Sequence, residues 1–418
     1  MNPNRKRILL LLPTKTYRAK AFLSAASQLG VAVAIGSDQP QTLSELSPRK
    51  SLVINFRKPE KATEDIVAFA QTHPIDAVVG VDDDTTVVVS MVSKALYLPH
   101  NSVESTRTTR SKYQMRKVLA TGGIPSPHFE LVSIRADPAE IATAVNFPCV
   151  LKPLSLSASR GVIRANNLKE FVTAFQRVVS ILGLSDVKSR KDARTEQILV
   201  EDFIPGIEVA LEGILIRGRL KVLAIFDKPD PLDGPFFEET LYVTPSRLPA
   251  EVQNDIISCT ARTAEVLGLR EGPVHAELRV NDDGAWIIEI AARSIGGLCA
   301  RTLRFGAGIS LEELIIRHAI GMEVDSLQRE RQPAGVMMIP IPRAGILQEV
   351  RGKTDAEQVS GIEEVTISIP IGQEVLPLPE GARYLGFIFA RGNSPESVEA
   401  ALREAHDRLE FVIIDGKL

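Results

Sequence analysis

Residues 275–293 read His275-Ala276-Glu277-Leu278-Arg279-Val280-Asn281-Asp282-Asp283-Gly284-Ala285-Trp286-Ile287-Ile288-Glu289-Ile290-Ala291-Ala292-Arg293. Two apolar runs flank an Asn-Asp-Asp-Gly turn signal, the pattern of a β-hairpin. Alternation along a strand puts His275, Glu277 and Arg279 on one face of the first run, and Ile287, Glu289 and Arg293 on one face of the second. An even, regular loop would set the two glutamates on opposite faces. A three-residue loop, or a bulge with Gly284 in the left-handed region, brings them back to the same face. Carboxylates set among apolar residues are costly unless ion-paired or metal-bound, and hard oxygen ligands suit Mg²⁺ beside phosphate. Glu277 and Glu289 are therefore the candidate metal ligands; the alternative is a hairpin whose charges face water.

The hairpin belongs to a chain of 418 residues that is 44% hydrophobic, long enough for several cores. About two to four subdomains are the natural expectation. The net charge of −3, with Lys and Arg spread throughout, offers no basic stripe and argues against nucleic acid as a partner. Arg5-Lys6-Arg7 precedes an apolar run, but the run stops at Pro13, which fits a first strand better than a signal peptide. No apolar run approaches the roughly 18 residues of a membrane span. Cys149, Cys259 and Cys299 lie far apart without CxxC spacing, as expected of buried thiols in a reducing cytoplasm.

Upstream of the hairpin, strand and helix signals alternate. Ile8 to Leu12, Val31 to Ile35, Leu52 to Asn55 and Ala77 to Val81 read as strands, with helices at Ala19 to Leu29 and Glu64 to Ala70. This predicts a parallel, Rossmann-like sheet. Pro13-Thr-Lys-Thr-Tyr17 replaces any GxGxxG after the first strand, so a dinucleotide site there is not expected. Gly122-Gly123 and Pro125-Ser-Pro127 end a helix from Ser111 to Ala120, and Asp137-Pro138 starts the next. Ser185 to Gln197 reads as an exposed loop. Glu208 to Phe226 is a hairpin turning at Arg217-Gly218, and Glu251 to Leu267 is an amphipathic helix closed by Gly268. Ser310-Leu-Glu-Glu313 opens a further helix, and a charged linker at Asp325 to Gln332 leads to a β-rich end. The expected units are 1–110, Rossmann-like; 111–200, a lid; 201–330, a catalytic half; and 331–418, a β-rich module.

Phe147 to Pro153 is a buried strand carrying Lys152, and the turn after it contains Ser155, Ser157, Ser159 and Gly161. Small and hydroxyl residues let backbone amides approach phosphate oxygens while lysine supplies a point charge. A purely structural turn is the alternative. Glu201-Asp-Phe203-Ile-Pro-Gly206-Ile-Glu208 follows, where an acidic strand end, a bend and a second acid could seat an adenine edge and a ribose diol.

In this order, Ser111-Lys112, Lys152 with its serine loop, Glu201 to Glu208, and Glu277 to Arg293 followed by Gly296-Gly297 resemble the ATP-grasp superfamily over nearly the whole chain. Asp227-Lys228, Gly234-Pro-Phe-Phe-Glu-Glu239, His275-Ala-Glu277 and Ile288-Glu-Ile-Ala-Ala-Arg293 are most similar to its dipeptide-forming L-amino acid ligases. The resemblance implies an α/β and α+β architecture: a Rossmann-like N-terminal domain, a mobile lid, and a C-terminal catalytic half that grips ATP between two antiparallel sheets. It also implies that Lys112 and Lys152 contact the phosphates under the loop from Ser155 to Gly161. Glu201 and Phe203 would meet adenine through backbone groups, and Glu208 the ribose. Glu277 and Glu289 would hold Mg²⁺, or Mn²⁺ in its place, and Arg293 would face the transferred phosphate. The chain departs from many relatives at Ala291, where an asparagine often supplies a further ligand. His275 is a candidate for the substrate carboxylate, and Lys228 to Ser246 for the amino acid pocket.

The activity this implies is ATP-dependent joining of a carboxylate to an amine through an acyl phosphate, with release of ADP and phosphate. Its partners would be small-molecule carboxylates and amines, with no nucleic acid or membrane, and self-association as a homodimer stays open. The alternatives are a carboxylase or purine-pathway type of ligase, or a nucleotide-binding protein without catalysis.

Overall fold

The computed structural model describes residues 5–39, 51–189, 192–324 and 326–416. Asp325, the first residue of the expected linker, lies outside them. The chain begins with a parallel sheet of strands β1 (Arg7–Leu11), β2 (Ala32–Ser37), β3 (Ser51–Val53) and β4 (Ala77–Gly80), ordered β3-β2-β1-β4. The run Ile-Leu-Leu-Leu is apolar on both faces because both are covered. Leu9 and Leu11 pack toward the helices at Pro59–Thr72 and Thr86–Ala95. Ile8 and Leu10 join a larger core with Phe22, Ala210, Phe226 and Leu314, so this sheet shares its interior with later parts of the chain.

A second, antiparallel sheet contains β5 (Phe129–Ser133), β6 (Cys149–Pro153), β7 (Ile163–Ala165) and β8 (Gln197–Asp202), ordered β5-β8-β6-β7. The helix Leu168–Leu182 lies on it, burying Phe171, Phe175, Val178 and Ile181 at helical spacing. The exposed loop expected at Ser185 to Gln197 instead forms a short helix, Ser185–Lys188, and a 3₁₀ turn, Ala193–Glu196. One apolar residue in that polar stretch, Val187, is fully buried in the core of this sheet and anchors the segment.

The third sheet has eight strands. It starts from β9 (Ile207–Ile216), β10 (Arg219–Asp227), β11 (Leu241–Thr244), β12 (Gly272–Asn281) and β13 (Gly284–Ala291). The order is β13-β12-β9-β10-β11, continued by Ala334–Ile339, Gly386–Arg391 and Ile362–Ile367. Arg217 and Gly218, both at positive φ, form the tight turn between β9 and β10. Residues beyond 331 thus add strands to this eight-stranded sheet through pairs such as Leu241 with Met337. A smaller three-stranded sheet, Gly345–Arg351, Glu374–Val375 and Glu410–Ile414, completes the chain. Among the described residues, no helix is long and apolar enough to cross a membrane.

Candidate active site

Glu277 and Glu289 are direct partners in the β12–β13 ladder. The turn between the strands holds only Asp282 and Asp283, since Asn281 pairs with Gly284. Such a turn alone would separate the glutamates by one residue of register. The register shifts between Glu277, opposite Glu289, and Leu278, opposite Ile287, leaving Ile288 as the extra residue. Gly284 does adopt positive φ, +106°, but the bulge that aligns the carboxylates sits at Ile288, not at Gly284.

Glu277 lies in a dense charge network. Lys228, almost wholly buried, has its ammonium 2.8 Å from Glu208 and 3.8 Å from Glu277, and it also contacts Glu239. Oxygens of Glu208, Glu239 and Glu277 come within 4.8 Å of one another. His275 is buried, with Nδ1 2.9 Å from Glu212 and Nε2 3.4 Å from Glu277. Burial opposes charge on the imidazole, but hydrogen bonds to Glu212 and Glu277 outweigh it and push His275 up to about 9. Burial likewise opposes ionisation of Glu277, yet Lys228 and His275 hold its carboxyl well below the usual range. Glu239, desolvated and beside the Glu277 charge, is pushed up to about 7.

Glu289 is partly exposed, and the Lys112 ammonium stands 3.7 Å from it. The same ammonium donates to the Leu156 carbonyl at 3.2 Å, joining the serine loop to the carboxylate pair. Ser111 caps the helix Lys112–Thr121 and so fixes the lysine at its first turn. Arg293 pairs with Asp83, in the 3₁₀ turn after β4, at 3.1 Å, not with either glutamate. Although burial disfavours its charge, Asp83 and Glu289 raise its affinity for the proton.

On the four-stranded antiparallel sheet, expected to be a lid, Lys152 lies 2.7 Å from Glu201. Glu201 is almost fully buried and also binds Arg116, at 2.6 Å. Burial alone would raise its pKa, but the charges of Arg116 and Lys152 hold it at about 2. Arg116 donates to the carbonyls of Ile287 and Ile288 as well, tying the lid sheet to the bulge. In the loop, Ala158, Ser159 and Gly161 adopt positive φ. A Cβ at Gly161 would stand 2.6 Å from the ring of Pro153, so glycine is required there. The Ser155 hydroxyl is buried without a partner. Phe203 uses its amide to bond the Pro148 carbonyl at 3.0 Å, and its ring lies against Arg164 and Arg279. Glu208 is held by Lys228 and Arg279.

Glu277, Glu289, Lys112 and the serine loop therefore converge, while Lys152 is reached through Glu201 and Arg116. Arg116, Glu212 and Asp83 were missed as site residues, while Glu239 falls in the segment expected to line the amino acid pocket. Arg116 had a signal: with Met115 and Leu119 it occupies the buried face of its helix, where an arginine needs a fixed anion. Asp83 had none, because its partner is 210 residues away.

Three family models match in chain order: the ATP-grasp N-terminal domain over residues 23–100, the ATP-grasp domain over 145–302, and the L-amino acid ligase C-terminal domain 2 over 337–413. The chain thus carries ATP-grasp domains followed by the C-terminal domain found in L-amino acid ligases. The crystal structure of an L-amino acid ligase from Bacillus licheniformis superimposes on this ATP-grasp chain with a TM-score of 0.79 at 24% identity, covering 98% of this chain and 99% of the other. An alanine–anticapsin ligase of Bacillus amyloliquefaciens is 24% identical over 62% of this chain and 56% of its own length. Dapdiamide A synthase of Enterobacter agglomerans is 25% identical over 56% of this chain and 54% of its own. The chain thus spans little more than half the length of these two named ligases.

Proposed function

We propose that the protein activates the carboxylate of an amino acid, or a similar carboxylate, with ATP and joins it to an amine, releasing ADP and phosphate. The observation that carries this reading is the alignment of Glu277 with Glu289 through the Ile288 bulge, with Lys112 bridging Glu289 and the serine loop. Two opposed carboxylates, one held firmly ionised, fit a hard dication as a donor set. Mg²⁺, or Mn²⁺ in its place, held by Glu277 and Glu289 would neutralise and orient the phosphates.

The protein's own groups then divide the work. Lys112, Lys152 and the hydroxyls of Ser155, Ser157 and Ser159, with backbone amides of the first part of that loop, hold the triphosphate. The carbonyls of Glu201 and Phe203 meet adenine, and Glu208, oriented by Lys228 and Arg279, meets the ribose. A carboxylate oxygen attacks the γ-phosphorus, forming the acyl phosphate and releasing ADP. Arg293 neutralises charge spreading over the phosphoryl oxygens. The amine attacks the acyl carbon, loses a proton, and phosphate departs. Both ring nitrogens of His275 face carboxylates, so its part is to orient Glu277 rather than to bind substrate. Phe236, Phe237, Glu238 and Glu239 line the amino acid side of the site. The three free, buried cysteines accord with a cytoplasmic location.

The test is nucleotide release with Mg²⁺ and a panel of paired amino acids, with bicarbonate as the control. Amino-acid-dependent ADP and phosphate are expected. AMP and pyrophosphate, or a response to bicarbonate alone, would overturn the reading.

A further inference from the structure

The serine loop is attached to the C-terminal part of the chain. The Gly161 amide donates to the Pro379 carbonyl at 2.9 Å, and Arg160 Nε to the Glu380 carbonyl at 2.7 Å. The Glu380 carboxylate is in turn gripped as a fork by Arg177, Nε to Oε1 at 2.6 Å and Nη2 to Oε2 at 2.9 Å. Arg177 belongs to the helix on the lid sheet, so the turn at Pro379 and Glu380 is held from two sides.

Arg177 also reaches the segment proposed to line the amino acid pocket. Its guanidinium lies 4.8 Å from the ring centre of Phe236. That segment adds itself to the free edge of β7: Ile163 bridges Phe236, the Arg164 amide donates to the Pro235 carbonyl at 2.9 Å, and the Arg164 side chain bonds the Asp233 carbonyl at 2.6 Å. A cleft of about 730 Å³, lined by Ile163, Arg164, Arg177, Asp233 and Phe236, opens along this seam. Phe236 packs at the margin of the core beneath this sheet, and the rest of the junction is a few polar bonds beside open space.

We propose that Arg177 and Glu380 are positioning residues that latch the serine loop, and with it the segment at Gly234 to Phe236, in place for the nucleotide step. They act through the loop and the segment they hold, and the proposal rests on the ligase reading above. The strength suits the task. The Arg177 and Glu380 side chains are 42% and 29% exposed, and such a pair biases an equilibrium by about two- to fivefold, enough to favour one position and still release. Because Arg177 touches both the C-terminal turn and Phe236, the phosphate end and the amino acid end of the site shift together.

The test begins without nucleotide. Hydrogen exchange is compared in the wild-type protein, Arg177→Ala, Glu380→Ala and the charge reversal Arg177→Glu with Glu380→Arg. The amide of Gly161 is itself a reporter, being bonded to Pro379. Each single variant is expected to exchange about two- to fivefold faster over residues 155–161 and 233–237, with helix 168–182 unchanged and the reversal restoring most of the protection. In turnover, the KM for ATP should rise by a similar factor while kcat at saturating ATP changes less than about twofold. Unchanged exchange in both single variants would overturn the proposal. So would an increase spread evenly through the lid sheet, which marks ordinary destabilisation. A wild-type protein that releases no ADP with any amino acid would refute the ligase reading and leave the exchange comparison to decide the latch.

Discussion

Arg293 and Asp83 form an ion pair, Nε to Oδ2 at 3.1 Å, that joins the end of the catalytic hairpin to the loop after β4, 210 residues earlier. The pair aims the guanidinium from a residue that is not itself a metal ligand candidate, and leaves both glutamates free of it. Arg293→Lys should lower kcat by about tenfold or more with the KM for ATP changed less than about threefold, the pattern of an interaction made in the transition state. Asp83→Asn should cost less, because the guanidinium remains. Steady-state kinetics of both variants decide the matter: full kcat in Arg293→Lys would leave the residue a structural tie between domains.

Glu289 is the more exposed member of the carboxylate pair, and the apolar face of its hairpin, Ile287 and Ile290, does not depend on it. Glu289→Gln should keep the melting temperature within a few degrees while activity at low Mg²⁺ falls by about two orders of magnitude. Calorimetry and a Mg²⁺ titration of turnover measure the two effects. Near-normal activity at low Mg²⁺ would remove Glu289 from the metal site.

The loop from Ser155 to Gly161 carries serines at three alternate positions, 155, 157 and 159, and positive φ at Ala158, Ser159 and Gly161. An ATP analogue with Mg²⁺ should protect residues 155–161 from hydrogen exchange and from proteolysis relative to the free protein. Protection that does not change with nucleotide would make this a structural turn.

Arg116 neutralises a buried carboxylate, so its loss acts on stability first. Arg116→Ala should destabilise the protein by about 3–5 kcal/mol in urea unfolding, since Glu201 keeps only Lys152. Glu201 also sets a pH dependence. Its folded pKa, about 2, lies below the ordinary 4.5, so its stabilising share is complete above about 4.5 and is lost as pH falls toward 2. Unfolding free energy measured across that window should decline less steeply in Glu201→Gln than in the wild type.

Much of this was open to a reading of residues in order. The strands of the first sheet, the turn at Arg217-Gly218, the cap at Ser111 and the helix closed by Gly268 are local features, written in periodicity and turn chemistry. The carboxylate pair was legible because two acids in apolar strands demand an explanation. The position of the bulge was not: Ile288 looks like any strand residue, and only pairing with β12 shows it to be extra.

The sequence by itself determined which segments become strands and helices, that Glu277 and Glu289 carry the metal question, and that a lysine and a serine loop accompany them. These follow from local propensity and from the cost of placing charge among apolar side chains. Only the tertiary structure decided the partners: Asp83 for Arg293, Arg116 and Lys152 for Glu201, Lys228 for the acids around Glu277, and Glu380 for Arg177. A charge needs a neighbour in space, and the neighbours here come from strands, helices and turns far apart in the chain, so nothing in the linear order specifies them.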